Sequence, residues 1–299
     1  MTVSPTSPTT TSRTIDTDTP LLADDREAAL HPPQGVIHDI WVVARRGLVH
    51  MKRQPEMLTD ATIQPVMFVL LFAYVFGGAI VIPGGSGAES EYREFLMGGI
   101  FAQTIVFSAF GVAISLANDH KNFIIDRFRS LPIHRAAVLG GHAVANVLKS
   151  LIPITLMSLM GLVVGWRIHT DVVDASLAYL LLIAFSFAMV WVGVLLGSLV
   201  RTPEGVSGIT FVVLFPMTFV ASTFVPASTL PGFLKPIAQW NPVSTLSDAL
   251  RIGFGNPHPM EAGAPWPSQN PIAYTWIWIV IIVVVCAPLA VRAYNRSTE

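Results

Sequence analysis

Six stretches of about twenty mostly apolar residues dominate the chain, and each is long enough to cross a bilayer as a helix. They run at 61–82, 95–117, about 141–165, 176–200, 205–225 and 272–291. Only 12% of the 299 residues are charged, where a soluble domain carries about 25%. Lipid rather than water is therefore the solvent such a surface is fitted to. The net charge of −1 gives nucleic acid no electrostatic footprint, and no nucleic-acid partner is expected. The expected fold class is an all-α membrane protein with six transmembrane helices.

Orientation follows from the placement of Lys and Arg. With the N terminus inside, thirteen fall on cytoplasmic segments: Arg13, Arg26, Arg45, Arg46, Lys52, Arg53, Lys121, Arg127, Arg129, Arg135, Arg201, Arg292 and Arg296. Four fall outside: Arg93, Arg167, Lys235 and Arg251. Both termini are thus expected in the cytoplasm of a multi-pass protein of the cell membrane. The remaining cation, Lys149, lies within the third stretch together with His142. One reading has Lys149 snorkelling to the headgroups; the other puts a charge in a substrate path. Cys286, the only cysteine, sits in an apolar run and reads as packing.

Residues 1–35 are rich in Ser, Thr and Pro and cannot bury enough apolar surface to fold. They lack the basic start, apolar centre and small-residue cleavage site of a secretory signal, so a cytoplasmic tail is expected. Residues 36–60 differ. Ile37, Ile40, Trp41, Ala44, Leu48 and Met51 recur at helical spacing, while Arg45, Arg46, His50, Lys52 and Arg53 take much of the other face. That pattern predicts a basic amphipathic helix lying in the headgroup layer, in contact with membrane lipid.

Between the second and third stretches comes "NDHKNFIIDRFRSLPIHRAA", 118–137. On a helical projection, Phe123, Ile124, Ile125, Phe128 and Leu131 share one side. Asn122, Asp126, Arg129 and Ser130 share the other, with Arg127 at the edge, and Pro132 ends the helix. A short ordered helix with a defined face points to docking, since loop lysines alone would fix orientation. Between the fifth and sixth stretches, prolines at 226, 231, 236 and 242 punctuate two helical pieces. "GFLKPIAQW" ends in an interfacial Trp240. "NPVSTLSDALR" has Asn241 placed to cap and Pro242 in its first turn, with Leu246, Leu250 and Val243 as its apolar stripe. The pair is expected, over about 226–252, as a re-entrant or surface hairpin of the outer leaflet. Pro216, inside the fifth stretch, is expected to kink it.

The chain contains no GxxxxGK[ST], HExxH, paired CxxC or GxSxG, the patterns that would announce nucleotide, zinc or nucleophilic chemistry. No stretch has Asp or Glu at its centre, which argues against a proton- or sodium-coupled carrier. The chain is expected to be no enzyme and to draw its energy from a partner.

Four segments in order carry a resemblance: "RRGLVHMKRQPEMLTDATIQPVMFVLLFAYVFGG", "EFLMGGIFAQTIVF", "IIDRFRSLPIHRAAVLGG" and "NPVSTLSDALR". They resemble the permease subunits of ABC-2 type exporters, above all the daunorubicin/doxorubicin-resistance permeases of actinobacteria, over about 38–292. The resemblance implies an elbow helix before a permease domain at 61–292, a coupling helix at about 121–132, and a C-terminal tail at 293–299. It implies a second permease chain, identical or different, and separate ABC ATP-binding subunits that hold ATP and Mg; no cofactor is expected on this chain. Asp126, Arg127, Phe128, Arg129, Leu131 and Pro132 then become the contacts to the ATPase subunit. Asn241, Pro242 and Arg251 match an outer signature with a structural or gating role. In such a dimer the first, second and fifth spans face the partner, making Gln64, Gln103, Phe107, Phe215 and Met217 candidates for the substrate path, or simply for helix packing. The implied function is export of a hydrophobic or amphipathic molecule, drug or lipid. A membrane scaffold that recruits a cytoplasmic protein without moving anything is the alternative.

Overall fold

A computed structural model describes residues 55–121, 135–200, 202–260 and 263–296. Every regular element among them is helical. Helix α1, Pro55–Leu70, continues into a π turn at Leu71–Val75. Four long helices follow: α2 Glu89–Lys121, α3 Arg135–Val164, α4 Val172–Leu199 and α5 Pro203–Val220. Two short ones, α6 Leu234–Trp240 and α7 Pro242–Phe254, precede a single turn, α8 Trp266–Gln269, and the last long helix, α9 Pro271–Arg296.

Five of these helices are long and apolar enough to cross a membrane: α2, α3, α4, α5 and α9. The predicted first span, 61–82, is helical only to Val75, and its apolar part is the shorter Ile63–Val75. Gly77 and Gly78 follow at once, and two consecutive glycines remove about 2 kcal/mol of helix propensity. The predicted fifth span is also shorter, because residues 221–225 leave the helix and pair their backbone elsewhere. Pro216 lies inside α5.

Helix α2 is the axis of the packing. Its buried face runs from Tyr92 through Phe95, Leu96, Ile100, Phe101, Ile105 and Val106 to Ala113 and Ala117. Helix α4 lies against it in parallel: a Cβ on Gly193 would strike the Ala109 carbonyl, and one on Gly197 would stand 2.7 Å from the Ala113 carbonyl. Glycines four residues apart let two backbones approach closely where lipid supplies no hydrophobic drive. Helix α5 runs antiparallel on α2, with Val206 beside Ala113 and Ala117 and Thr223 beside Gly99. Helix α3 runs antiparallel to α4, joined by Ser186 donating to Ser150 at 2.9 Å and by the Ser158–Tyr179 hydroxyl pair at 2.9 Å.

The caps explain the element ends. Thr202 Oγ1 accepts from the Gly205 N–H at 3.2 Å ahead of Pro203. Asn241 Oδ1 accepts from the Val243 N–H at 2.8 Å ahead of Pro242, as its position predicts. Gly255, with φ of 71°, closes α7 in the left-handed region, which glycine enters without strain.

Helix α7, expected in a re-entrant or surface hairpin, is enclosed on more than its apolar side. The apolar stripe of Val243, Leu246 and Leu250 is buried, but so are Ser244, Thr245, Ser247 and Arg251 on its other sides. It packs among α2, α4 and α9. It is an internal element rather than a surface helix, because its serine and threonine hydroxyls satisfy their own helix: Ser247 donates to the Val243 carbonyl at 2.7 Å and Thr245 to the Pro242 carbonyl at 3.0 Å.

Candidate functional site

The expected ATPase contacts, Asp126, Arg127, Phe128, Arg129, Leu131 and Pro132, lie outside the described residues, as does the amphipathic segment 36–54. The five path candidates are dispersed. Gln64 is exposed on α1 and Phe107 half-buried on α2. Gln103 is only 3% exposed, enclosed by its own chain, and its Nε2 has no hydrogen-bond partner among the described residues. Phe215 is exposed on α5 and stacks on Phe219 at 4.3 Å. Met217 packs half-buried against the core. No described cavity gathers them.

The outer signature, by contrast, comes together. Arg251, expected at the end of an outer helix, is completely buried. Its Nε donates to the Phe95 carbonyl at 2.8 Å and its Nη1 to Asp248 Oδ1 at 2.6 Å. Its Nη2 donates to the carbonyls of Ser222 at 2.7 Å and Thr223 at 3.3 Å. The guanidinium carbon stands 3.5 Å from the centre of the Phe95 ring, a cation–π contact. Burial pulls the Arg251 pKa down and Asp248 pulls it back; a guanidinium stays charged throughout. One side chain thus ties α2, α7 and the turn after α5.

Asn241 ties the same parts from the other direction. While its Oδ1 caps α7, its Nδ2 donates to the Met217 carbonyl at 2.7 Å. Met217 is in the last turn of α5, where four carbonyls have no intrahelical donor. Asn241→Ala removes both bonds, and loss of such a cap costs about 1–2 kcal/mol. The expected result is a lower midpoint in thermal unfolding of the purified chain, with Asn241→Asp keeping the α7 cap and falling between the two.

Sequence reading missed the partners of Arg251. The Ser222 N–H donates to Ser244 Oγ at 2.9 Å, and Tyr92 donates to the Phe224 carbonyl at 3.1 Å. Gly98 and Gly99 make room: a Cβ on Gly98 would meet Arg251 Cγ at 2.8 Å, and one on Gly99 would strike the Thr223 carbonyl. The "LMGGI" in α2 was the available signal, but glycines in an apolar helix have no address until the facing backbone is known. The 165–171 connection is pinned nearby: Trp166 Nε1 donates to Asn256 Oδ1 at 2.6 Å, and the His169 N–H donates to the Phe254 carbonyl at 2.8 Å.

Two surfaces complete the picture. Phe68, Phe72, Phe224, Phe219, Phe215 and Phe211 form a continuous ladder across α1 and α5, with centroid steps of 4.2–6.2 Å. Its α5 end is exposed. On the other side, α3, α4 and α9 enclose an apolar groove of about 590 Å³ between Val144, Phe187 and Trp276. Lys149 is half-buried on α3 with Asp119 as the opposite charge acting on it. Asp119 lies near the C-terminal end of α2.

The ABC-2 type transporter family matches residues 38–254. The daunorubicin resistance ABC transporter permease protein DrrB1 of Streptomyces coeruleorubidus is 32% identical over 251 residues, 81% of this chain and 86% of the relative. A Mycobacterium tuberculosis protein named "probable doxorubicin resistance ABC transporter permease protein DrrC" is 28% identical over 298 residues, 97% of this chain and 99% of its own. The inner membrane transport permease YadH of Escherichia coli K12 is 23% identical over 222 residues, 73% of this chain and 85% of its own.

Proposed function

The chain belongs to the ABC-2 type transporter family, and from that membership we propose that it is the membrane permease subunit of an ATP-driven exporter for a hydrophobic or amphipathic drug. The observation that carries the proposal is the 32% identity to a daunorubicin resistance permease along four-fifths of the chain. A lipid cargo is the variant reading and has less support, since the two most similar relatives reported above bear drug-resistance names.

In this reading α1 with its π turn is the first of six spans, and Arg and Lys placement puts both termini in the cytoplasm. The Lys121 end of the bundle then faces inward and the Arg251 junction outward. ATP and Mg are held by a separate ATP-binding subunit docked under 121–132, with Asp126, Arg127, Phe128, Arg129, Leu131 and Pro132 at the contact. A second permease chain covers the exposed aromatic face of α1 and α5, and cargo passes along that seam. Exposure of Met67, Tyr74, Phe211 and Phe215 on those two helices supports this placement.

The test is vanadate-sensitive ATP hydrolysis by the tagged chain co-purified in mild detergent with its candidate ATP-binding subunit. Hydrolysis stimulated by daunorubicin is expected. Phe128→Ala and Arg129→Glu are expected to abolish stimulation and drug efflux while the subunits still associate. Efflux at full strength in both variants overturns the coupling assignment. A chain that purifies alone and supports no hydrolysis is instead a scaffold.

A further inference from the structure

At the Arg251 end, a recess of about 30 Å³ lies beneath the segment that follows α7. By this measure a water needs about 10–15 Å³, so about two or three fit. Asp248, His258, Ser222, Ser228 and Gln239 supply its polar lining. His258 Nδ1 stands 3.6 Å from Asp248 Oδ1, just beyond hydrogen-bonding distance. Both ring nitrogens and Ser228 Oγ are buried without a protein hydrogen-bond partner among the described residues. The carboxylate is already engaged: Arg251 Nη1 donates to Oδ1 at 2.6 Å and Ser222 Oγ at 3.3 Å.

We propose that this recess is a proton-binding site in which protonated His258 closes onto Asp248 and clamps the 256–260 segment to α7. The charges around the ring are few. From α7 it faces Asp248, with Arg251 behind that carboxylate. Phe95 of α2, Ser228 of the turn after α5, Gln239 of α6 and Ser268 of α8 complete the lining, and none of them titrates. Histidine is the side chain that changes charge between pH 5 and 8. When neutral, the ring offers one donor and one acceptor, and water in the recess serves both. When protonated, it is drawn to Asp248, the one carboxylate in reach among the described residues, and a charge-assisted Nδ1–H···Oδ1 bond of normal length requires the ring to move less than an ångström. Asp248 has lone pairs enough to accept from His258 without releasing Arg251. The segment carrying His258 is otherwise held by Asn256, which bonds Trp166 and the Arg167 carbonyl. The clamp therefore acts on the stretch beyond Asn256 and not on the junction itself. The clamp exists only while the ring carries its second proton. The inference rests on the fold alone and stands whether or not the chain is an exporter.

Hydrogen–deuterium exchange of the full chain in phospholipid nanodiscs tests it, with rates corrected for their intrinsic pH dependence. Pro257 and Pro259 carry no N–H, so the readout is the His258 and Met260 amides, whose protection is expected to rise about three- to fivefold between about pH 8 and about pH 5.5, the scale of a partly exposed ion pair. His258→Gln, which keeps hydrogen bonding but cannot charge, is expected to leave protection flat. The ring resonance lost in that variant identifies His258 among the eight histidines and reports its protonation directly. An unchanged pH response in His258→Gln, or a ring that stays neutral down to about pH 5.5, overturns the proposal.

Discussion

Arg251→Met should be the most damaging single substitution of a side chain in the described bundle. Four protein partners lose their donor at once: the carbonyls of Phe95, Ser222 and Thr223 and the Asp248 carboxylate. Two costs are then in play. An orphaned buried carbonyl costs about 1–3 kcal/mol, but the Phe95 carbonyl sits within α2 and keeps its helical donor. Removing one member of a buried ion pair costs about 3–5 kcal/mol, because the other charge is left behind. The second term dominates. The expected outcome is loss of a monodisperse peak after mild-detergent extraction, or a thermal midpoint lower by many degrees in whatever survives. Arg251→Lys should recover little, since an ammonium cannot span the three directions that the guanidinium fork serves. Adding Asp248→Asn to Arg251→Met removes the stranded charge and should restore part of the loss. Equal damage in the single and double variants would show that the carbonyls, and not the charge, govern the junction.

That junction also marks the boundary of what the sequence reveals. Asn241 and Pro242 were legible because capping is a local code, written within three residues of the helix start. Val243, Leu246 and Leu250 were legible because a 3.6-residue period needs no knowledge of what it faces. The burial of Arg251 was not legible, for a physical reason. A cation between two apolar stretches reads as a marker of topology, and its burial depends on acceptors at Phe95, Ser222 and Thr223, which no local pattern connects to it. The shortened fifth span has the same origin, since residues 222 and 223 leave the helix to serve α7 and Arg251. The first span is different: Gly77 and Gly78 stood in plain view, and hydropathy simply outweighed them. Gln103 shows how two readings of one residue stay open in sequence. A polar residue in an apolar helix invites a path, yet here it is enclosed by its own chain.

Three glycines of α2 turn the close approach at this junction into a measurable series. In an isolated helix each Gly→Ala change gains about 1 kcal/mol from propensity. At Gly111 an added Cβ meets nothing within 4 Å, so Gly111→Ala should stabilise the detergent-solubilised chain by up to that amount. At Gly98 the nearest atoms are Arg251 Cγ at 2.8 Å and the Ser247 carbonyl at 3.0 Å. The first belongs to a side chain, but one pinned at its far end, so it can yield only by disturbing the Arg251 bonds. Overpacking of this kind costs about 1–3 kcal/mol, and the net change at Gly98 should be a modest loss. At Gly99 the obstacle is all backbone: the Thr223 carbonyl oxygen, with Thr223 C and Cα both at 2.7 Å. Backbone cannot rotate aside, so α2 must withdraw from the turn that presents the Ser222 and Thr223 carbonyls to Arg251. Gly99→Ala should therefore approach Arg251→Met in severity, despite adding one methyl group in a favourable helical context. Thermal midpoints ordered Gly111→Ala, wild type, Gly98→Ala, Gly99→Ala from highest to lowest would bear this out. A Gly99→Ala chain as stable as wild type would mean that α2 and the 221–224 turn stand further apart than these contacts describe.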